Sequence, residues 1–421
     1  MPKKHKKLLV QRFHSVCPSL ANLDASFRVR GIVDLLVLIL STLMYKNPTI
    51  REWGVTALTG KTAFLYHDDY LRYNFGPFHP LKPKRYKETF ELLQRLGIFN
   101  EKVKHYKPSH ASEEDLMLVH SQEYIEKVKK KCQEGTGYLD YGDTPSRKGV
   151  YEASCAKVGG SILGADLIMQ GDVEHAFNVG GGLHHATRNS AAGFCVFNDV
   201  AIAARHLQQR QGVKRIAIVD VDGHHGDGTQ RIFYREPVLT ISLHRYGRNL
   251  LGSFYPGTGS VNEAGEGEGK GYSVNVPLPQ GTFDEAYIEA FTEIVPPLIE
   301  KYKPEILLNQ FGVDTHYQDP LVGLSLTTKS FVEISSTLHT LAHKTSHGRY
   351  LIFGGGGYEP NNVARCWALM FITVAGISPK SEETYRELFD KDIKAHNPKI
   401  LEQVRKTIKD VKKTIFPLHG L

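Results

Sequence analysis

The sequence predicts an α/β protein of three layers, in which a central, mostly parallel β-sheet lies between two layers of helices. From about Lys61 onward, short apolar segments alternate with longer amphipathic ones, and a strand–helix succession of this kind produces a parallel sheet covered on both faces. The chain has 421 residues, of which 41% are hydrophobic, so it can bury a large core. No internal repeat or low-complexity linker divides the sequence.

Six short apolar segments are predicted to be strands, and they cover residues 63–66, 176–179, 215–219, 238–243, 306–310 and 350–353. Seven segments with helical spacing of apolar residues are predicted to be helices, and they cover residues 84–96, 121–131, 153–169, 199–211, 283–302, 328–342 and 362–373. In open parallel sheets, ligands bind beyond the carboxyl ends of the strands. The polar clusters described below each follow a predicted strand, so we expect them at one edge of the sheet.

We predict a main domain over residues 61–380, preceded by a basic and apolar extension of unknown role over residues 1–60 and followed by a C-terminal helical tail over residues 381–421. The longest apolar stretch, residues 32–44, has 13 residues and includes Asp34, whereas a membrane-spanning helix needs about 20. No clear signal-peptide cleavage site follows it. Five cysteines without a CxxC pair argue against a disulfide framework. These features favour a soluble, cytoplasmic protein.

The net charge of +7 is concentrated at the N-terminus, where residues 1–30 contain seven Lys or Arg and one Asp. A basic terminal segment is more often a solvated extension than a nucleic-acid-binding arm. We therefore expect no specific nucleic-acid partner and no membrane span, and the sequence makes no prediction of oligomeric state.

The segment IVDVDGHHGDG, residues 218–228, places many ionisable groups at the end of a strand. In an extended strand, side chains two residues apart share a face, which brings Asp220, Asp222 and His224 together. Buried carboxylates without a partner are strongly disfavoured. A turn with a helix cap would need far fewer ionisable groups, so the pattern favours a bound cation.

A third ligand is available in NQFGVDTHYQDP, where Asp314 follows another predicted strand at the same edge. Asp222, His224 and Asp314 would supply two oxygen ligands and one nitrogen ligand and leave a position open for water. An open position is typical of catalytic rather than structural zinc. Without cysteine ligands the site also admits Fe²⁺, Mn²⁺ or Co²⁺.

Adjacent imidazoles in GGGLHHATR, His184 and His185, follow the strand predicted over residues 176–179. A hydrolytic metal site needs a base near the attacking water and a group that stabilises the developing oxyanion. Asp220 and Asp227 are free to orient the two histidines. A carboxylate partner raises the basicity of an imidazole, so the two rings are expected to divide the acid and base roles.

Four glycines in LIFGGGGYEP, residues 354–357, follow the last predicted strand and precede Tyr358. A phosphate-binding loop is disfavoured, because no Lys-Ser/Thr pair follows the glycines. We expect a loop that presents the Tyr358 phenol, which can donate a hydrogen bond to a polarised carbonyl.

Long segments of the chain resemble the zinc-dependent histone deacetylase superfamily, over roughly residues 62–380. The segments are GGLHHATRNSAAGFCVFNDV, IAIVDVDGHHGDGTQ, YPGTGSVNE, GVDTHYQDPL and FGGGGYEPNNVARCW. GTGSVNEAGEGEGKGYSVNVPL and the DTHYQDP variant are most similar to the prokaryotic acetoin-utilisation (AcuC-type) deacetylases. The resemblance implies an arginase/deacetylase-like fold, a catalytic domain over residues 61–380, and hydrolysis of N-ε-acetyl-lysine to lysine and acetate.

The resemblance also implies residue roles. Positions matching the zinc ligands are Asp222, His224 and Asp314, and Tyr358 matches the tyrosine that polarises the carbonyl. His185 matches the general base, and His184 matches the histidine that supports the transition state electrostatically. Asp220 and Asp227 match the carboxylates behind the histidines. Residues that match a structural potassium site are Asp220, Asp222, His224, Ser242 and Leu243.

The substrate channel implied by the resemblance runs between Phe194 and Tyr255, with Gly193 beside it. Two aromatic walls suit the four-carbon stem of an acyl-lysine. Tyr255 stands where many relatives have Phe, which adds a hydroxyl to the wall. Further residues with implied roles are Asp143, which would hold the substrate backbone at the rim, Leu321, also at the rim, and Arg85, beneath the site near an acetate exit.

The expected substrate is an acetylated protein or peptide, and for the AcuC type an acyl-CoA synthetase. Three alternatives remain open: an acetylpolyamine or other small acyl-amine as substrate, an arginase-like site with two metals, and a non-catalytic acetyl-lysine binder. Gly223 and Thr315 occupy the positions where a second metal would need carboxylates. His316 differs from the eukaryotic form of the motif and is expected to reach the rim or the residues behind the ligands.

Overall fold

A parallel sheet forms the centre of the structure, a computed structural model that describes residues 60–249, 252–391, 393 and 395–421. Within these residues, eight strands pair in the order β2-β1-β3-β10-β9-β4-β5-β8, and every pair in this sheet is parallel. A short antiparallel hairpin, β6–β7, lies outside it. The strands are β1 (Thr62–Leu65), β2 (Val103–Tyr106), β3 (His175–Asn178), β4 (Ile216–Asp220), β5 (Leu239–Arg245), β6 (Arg248–Asn249), β7 (Gly252–Ser253), β8 (Ser273–Leu278), β9 (Ile306–Gln310) and β10 (Tyr350–Phe353).

Helices cover both faces of the sheet. They are α1 (Lys84–Arg95), α2 (Glu113–Leu116), α3 (Gln122–Glu134), α4 (Val150–Met169), α5 (Asp199–Arg210), α6 (Asp227–Phe233), α7 (Asp284–Tyr302), α8 (Thr328–Ser346), α9 (Pro360–Ala375), α10 (Glu382–Glu387) and α11 (Pro398–Ile415), with 3₁₀ turns at Asp68–Arg72, Gly267–Gly269 and Phe416–His419. The predicted three-layer α/β fold is therefore confirmed.

Alternate residues of the central strands enter two separate cores. In β4, Ala217 and Val219 belong to one hydrophobic cluster, whereas Ile216 and Ile218 belong to the other. This follows from the two-residue period of a strand, which turns successive side chains to opposite faces. Because both faces are buried, the strands are continuously apolar, which made six of them recognisable in the sequence.

The two edge strands, β2 and β8, were not predicted from the sequence. β2 is VKHY, and its central Lys104 and His105 are exposed. β8 is SVNVPL and contains Pro277, which lacks a backbone donor and is tolerated at a sheet edge. β2 is half exposed and therefore has a weak apolar signal. β8 is mostly buried, but Ser273, Asn275 and Pro277 interrupt its apolar residues.

All the described residues fall in one compact unit. Apart from Gly60, the predicted extension over residues 1–60 lies outside the described residues, and the proposed domain boundaries stay predictions. α11 contacts α7 and β8, so the C-terminal segment contributes to the core. Cys132, Cys155, Cys195 and Cys366 are buried free thiols. Among the described helices, none combines the length and the apolar character needed to cross a membrane.

The strand order explains how distant motifs meet. β3, β10, β9 and β4 are consecutive neighbours in the sheet, and their carboxyl ends share one edge because all are parallel. The loops after these strands carry the tandem histidines, the glycine run, Asp314 and the DVDGHHGD segment. The sheet therefore assembles one polar site from four motifs.

Candidate active site at the carboxyl ends of four strands

The three predicted metal ligands converge. His224 Nδ1 lies 2.9 Å from Asp314 Oδ2 and 3.3 Å from Asp222 Oδ1, and one ligand atom from each residue lies within 4.8 Å of the others. All three side chains are buried. Two buried carboxylate oxygens and one imidazole nitrogen form a donor set suited to Zn²⁺ or a neighbouring transition metal.

The titration of this cluster reflects buried charges facing one another. Burial lowers the pKa of His224, but its contacts with Asp222 and Asp314 outweigh burial and raise the pKa to about 10. Burial and the charge on Asp222 raise the pKa of Asp314 to about 7. A divalent cation would compensate the two carboxylates directly, so the residues fit a metal ion.

Backbone and side-chain donors orient the carboxylates. Asp222 Oδ2 accepts from the Gly356 N–H at 2.7 Å and from Gln310 Nε2 at 2.8 Å, and Asp314 Oδ1 accepts from the Gly223 N–H at 2.7 Å. A Cβ on Gly356 would lie 2.2 Å from Asp314 Oδ2, so a glycine is needed for the backbone to approach the Asp314 carboxylate this closely. Sequence analysis did not single out Gln310, although a polar residue at the end of an apolar strand was an available signal.

Each of the tandem histidines has its own carboxylate. His184 Nδ1 donates to Asp220 Oδ2 and His185 Nδ1 donates to Asp227 Oδ1, both at 2.7 Å. The two Nε2 atoms lie 3.1 Å apart. Asp220 thus faces His184 rather than the cluster formed by the predicted ligands.

The two imidazoles titrate in opposite directions. Burial lowers the pKa of His184, but the charges on Asp220 and Asp222 outweigh it and raise the pKa to about 9. Burial and the neighbouring His184 lower the pKa of His185 to about 4, against the effect of Asp227. The surroundings of His184 therefore favour its protonated form, and those of His185 favour its neutral form.

Tyr358 lies beside His224 and Phe194. Its ring centroid is 6.3 Å from that of His224 and 5.9 Å from that of Phe194. Burial and the charges on Asp314 and Asp222 raise the pKa of Tyr358 well above its ordinary value, so the phenol keeps its proton. The Tyr358 N–H donates to Asp319 Oδ2 at 2.9 Å, and this anchoring carboxylate was also not foreseen.

Comparison with known proteins identifies the family. A model of the histone deacetylase domain matches residues 79–374. The chain belongs to the histone deacetylase family. It is 40% identical to the acetoin utilization protein AcuC of Bacillus subtilis (strain 168) over 330 residues, which cover 76% of this chain and 84% of that protein. AcuC of Staphylococcus aureus (strain MSSA476) is 39% identical over 326 residues, which cover 75% of this chain and 82% of that protein.

A solved structure agrees with this assignment. The crystal structure of the HDA15 HD domain matches with a TM-score of 0.72 and 29% identity, and the match covers 86% of this chain and 97% of that chain. The predicted membership of the deacetylase superfamily, with AcuC-type relatives, is therefore confirmed. The chain is accordingly an enzyme of the deacetylase class of hydrolases, a family that generally uses a metal ion.

The residues predicted to wall the channel of this deacetylase lie around its histidines. The ring centroids of Tyr255 and His185 are 5.1 Å apart, and Phe194 contacts Tyr358 as described above. A Cβ on Gly193 would lie 2.5 Å from His185 Cδ2 and 2.8 Å from Tyr255 Oη, so only glycine fits between them. Tyr255 and Leu321 are 40% and 37% exposed, and their positions along the channel and at the rim stay predictions.

Phe254 was not predicted, yet its ring stacks on His224 with centroids 5.2 Å apart and planes inclined by 17°. The guanidinium of Arg245 lies 4.1 Å from the centroid of the Phe254 ring. Stacking fixes the plane of the His224 imidazole and covers it with an apolar surface. The adjacent aromatic residues in SFYPG were the only available signal.

Asp143 and Arg85 contact different segments next to the site. The exposed Asp143 accepts at its carbonyl oxygen from His79 Nε2, 3.0 Å away, so the loop that carries it is fastened near Phe194, whose ring is 4.4 Å from that of His79. Arg85 is buried and donates to the Gly357 carbonyl at 2.7 Å. It therefore supports the glycine run immediately before Tyr358 from beneath.

The residues implied for a potassium site lie on neighbouring strands. Asp220 of β4 pairs in register with Ser242 of β5, and Leu243 follows in the same strand. The other two residues of the set, Asp222 and His224, lie in the loop after β4. The register therefore places Asp220, at the end of β4, beside Ser242 in the middle of β5.

Of the two positions expected for His316, the rim and the residues behind the ligands, the structure excludes the rim. It is buried, its Nε2 lies 3.0 Å from Asp390 Oδ2, and its ring stacks on Phe331 of α8. Two residues beyond Asp314, the chain has turned its side chain away from the channel and into the interface with the segment before α11. The direction of that turn could not be read from the motif.

Proposed function

We propose that this chain is a metal-dependent protein-lysine deacetylase that removes acetyl groups from N-ε-acetyl-lysine. The observation that carries the proposal is the pair of adjacent histidines, each hydrogen-bonded to its own carboxylate, placed beside two carboxylates and an imidazole that fit a metal ion. A charged donor and a neutral base at one point are what amide hydrolysis requires.

The proposed cofactor is Zn²⁺, with Fe²⁺ as the alternative in the cell, held by Asp222, His224 and Asp314. When bound, such an ion supplies Lewis-acid activation of the acetyl carbonyl and of a water molecule. A structural K⁺ at Asp220, Asp222, His224, Ser242 and Leu243 completes the proposal.

The side chains divide the remaining work. His185, neutral at pH 7, takes a proton from the attacking water and later returns it to the leaving lysine amine. The His184 imidazolium stabilises the negative charge that develops on the reacting centre. Asp227 and Asp220 hold the two rings in place, and the Tyr358 phenol donates a hydrogen bond to the carbonyl oxygen as it becomes an oxyanion.

The proposed substrate is an acetylated protein or peptide, with an acyl-CoA synthetase as the preferred candidate. Phe194, Gly193 and Tyr255 would enclose the apolar stem of the lysine, while Asp143 would bind the peptide backbone at the rim and Leu321 would contact it. Arg85 would lie near the acetate exit. We propose a cytoplasmic location, since the substrate is an intracellular enzyme.

The alternative substrate is an acetylpolyamine or other small acyl-amine. Comparing kcat/KM for an acetylated synthetase peptide and for acetylspermidine separates the two. Faster hydrolysis of the peptide is expected, because the sequence shows no dedicated acidic insertion for a cationic tail. A preference for acetylspermidine would replace the proposed substrate class.

Tyr358→Phe tests the mechanism. We expect kcat to fall about 100- to 1,000-fold, as is typical for the loss of one oxyanion donor, while bound Zn²⁺ measured by mass spectrometry is unchanged. Tyr141→Phe, at a fully exposed tyrosine, is the matched control and should retain wild-type kcat. Unchanged turnover in Tyr358→Phe would remove this phenol from the mechanism.

A further inference from the structure

A second group of histidines lies at the opposite end of the sheet from the active site. His175 is the first residue of β3, whereas His339 and His343 lie one turn apart on α8. Residues four apart on a helix project from the same face. The amino-terminal end of β3 therefore meets two imidazoles from α8, in a place that the deacetylase reaction does not use.

The three rings direct their Nε2 atoms toward one point. Nε2 of His343 lies 3.1 Å from Nε2 of His175 and 3.1 Å from Nε2 of His339, and a nitrogen of each ring lies within 4.8 Å of the others. Zn–N bonds measure about 2.0–2.1 Å, so two nitrogens on a tetrahedral zinc ion lie about 3.3–3.4 Å apart. The observed spacing is close to that of a three-histidine ligand set.

Hydrogen bonding alone does not account for this geometry. An imidazole Nε2 carries either one proton or one lone pair, so His343 Nε2 cannot form ordinary hydrogen bonds with two nitrogen neighbours at once. A cation that accepts three lone pairs at one point removes the conflict.

Burial favours the neutral form of two of the three rings, His175 and His339. Burial, helped by the neighbouring histidines, lowers the pKa of His175 well below its ordinary value. Burial and His343 lower the pKa of His339 to about 4. Neutral imidazole is the form that ligates metal ions, so no proton has to be displaced from these two rings at neutral pH.

A carboxylate lies beside the open side of the group. Glu174 Oε2 is 3.9 Å from His343 Nε2, and the Glu174 side chain is 48% exposed. The absence of a side chain at Gly348 leaves space beside His343 and Glu174. A Cβ at that position would lie 3.1 Å from His343 Cε1 and 3.4 Å from Glu174 Oε2. An ion could therefore enter from solvent, with a negative charge at the fourth position.

We propose that His175, His339 and His343 bind a divalent transition metal ion, with Zn²⁺ the best fit, as a structural site separate from the active site. An all-imidazole set with one nearby carboxylate selects borderline ions rather than Mg²⁺ or Ca²⁺. The ion would join β3 to α8. Its most distant ligands in the sequence, His175 and His343, are 168 residues apart. The site does not depend on the proposed function.

Zinc counting on the full chain tests the proposal, with Zn²⁺ supplied in a buffer containing a weak chelator. We expect two Zn²⁺ per chain in the wild type and one in His339→Asn/His343→Asn, which should still hydrolyse acetyl-lysine. Asp222→Asn/Asp314→Asn should keep one Zn²⁺ without activity, and its melting temperature should rise on addition of Zn²⁺. The variant that combines all four substitutions should bind no Zn²⁺. His396→Asn, at a histidine 61% exposed, is the control and should bind two.

Zinc absent from Asp222→Asn/Asp314→Asn would overturn the proposal, as would an unchanged zinc count in His339→Asn/His343→Asn. Should the double histidine variant fail to fold, X-ray absorption of Zn²⁺ in Asp222→Asn/Asp314→Asn decides the matter. Outer-shell scattering from three imidazoles is expected, and one imidazole or none would contradict the assignment. If the deacetylase proposal is wrong, the wild type will not hydrolyse acetyl-lysine, but the Zn²⁺ bound by His175, His339 and His343 will still be present.

Discussion

Replacing Asp390 with asparagine is expected to destabilise the fold at the loop that carries Asp314. Asp390 Oδ2 lies 3.0 Å from His316 Nε2 and accepts from the Thr328 N–H at 2.9 Å, and Oδ1 accepts from Arg365 Nη2 at 2.9 Å. Its side chain is only 4% exposed. The carboxylate thus joins the loop after β9, the start of α8 and the helix α9.

The magnitude follows from the contacts that asparagine cannot keep. The amide oxygen can replace one carboxylate oxygen, but the amide nitrogen must face either His316 or Arg365. A hydrogen bond to a charged group contributes about 1.5–3 kcal/mol, and removing one partner of a buried ion pair costs about 3–5 kcal/mol. Since the Arg365 side chain is 23% exposed and can be rehydrated in part, we expect a loss of about 2–3 kcal/mol at pH 7.

The loss should depend on pH in a defined direction. Burial raises the pKa of Asp390, but hydrogen bonds from His316, the Thr328 N–H and Arg365 outweigh it and hold the pKa well below its usual range. A depressed pKa stabilises the folded state above the unfolded-state pKa of about 4, and this contribution is lost as the pH falls below it. The difference between wild type and Asp390→Asn should therefore shrink at acidic pH.

Urea unfolding at pH 7 and at pH 3 measures both effects, as a shift in the midpoint with little change in slope. Asp410→Asn, at an exposed position of α11, is the matched control and should leave the midpoint unchanged. Because His316 lies two residues beyond Asp314, Asp390→Asn should also bind Zn²⁺ less tightly in a chelator competition. A midpoint equal to that of the wild type at pH 7, or a difference that grows at pH 3, would refute the reasoning.

Three further predictions concern the active site. Gly193→Ala should lower kcat/KM for an acetyl-lysine peptide at least about tenfold, because the φ of Gly193 is +52° and the new Cβ would meet His185. The control is Gly137→Ala, where φ is also positive but the space around the residue is open, and this variant should retain full activity. Gln310→Leu should weaken Zn²⁺ binding about 10- to 100-fold in a chelator competition, because Asp222 loses an orienting donor; unchanged affinity would show that this donor is dispensable. Chelation should abolish hydrolysis, and Zn²⁺ or Fe²⁺ should restore it; full activity after verified metal removal would contradict a metal-dependent mechanism.

The local pattern was sufficient to predict the architecture and to select the metal-ligand and histidine candidates, whereas the channel, rim and potassium residues were implied by the family resemblance and stay predictions. Buried parallel strands are apolar on both faces, so segments such as residues 216–220 and 306–310 stand out from the sequence. Ionisable groups immediately after such strands are costly to bury without a function, which drew attention to Asp222, His224, Asp314 and the tandem histidines.

What the sequence by itself determined was therefore the kind of sheet, the edge at which the site lies and the chemistry of its ligands, because these depend on residues close together in the chain. Only the tertiary structure decided which distant groups meet. The order β3-β10-β9-β4 brings Gln310 to Asp222, and the packing of α8 against the sheet brings His339 and His343 to His175. Such contacts depend on strand order and helix packing, which the alternation of apolar and polar residues along the chain does not specify.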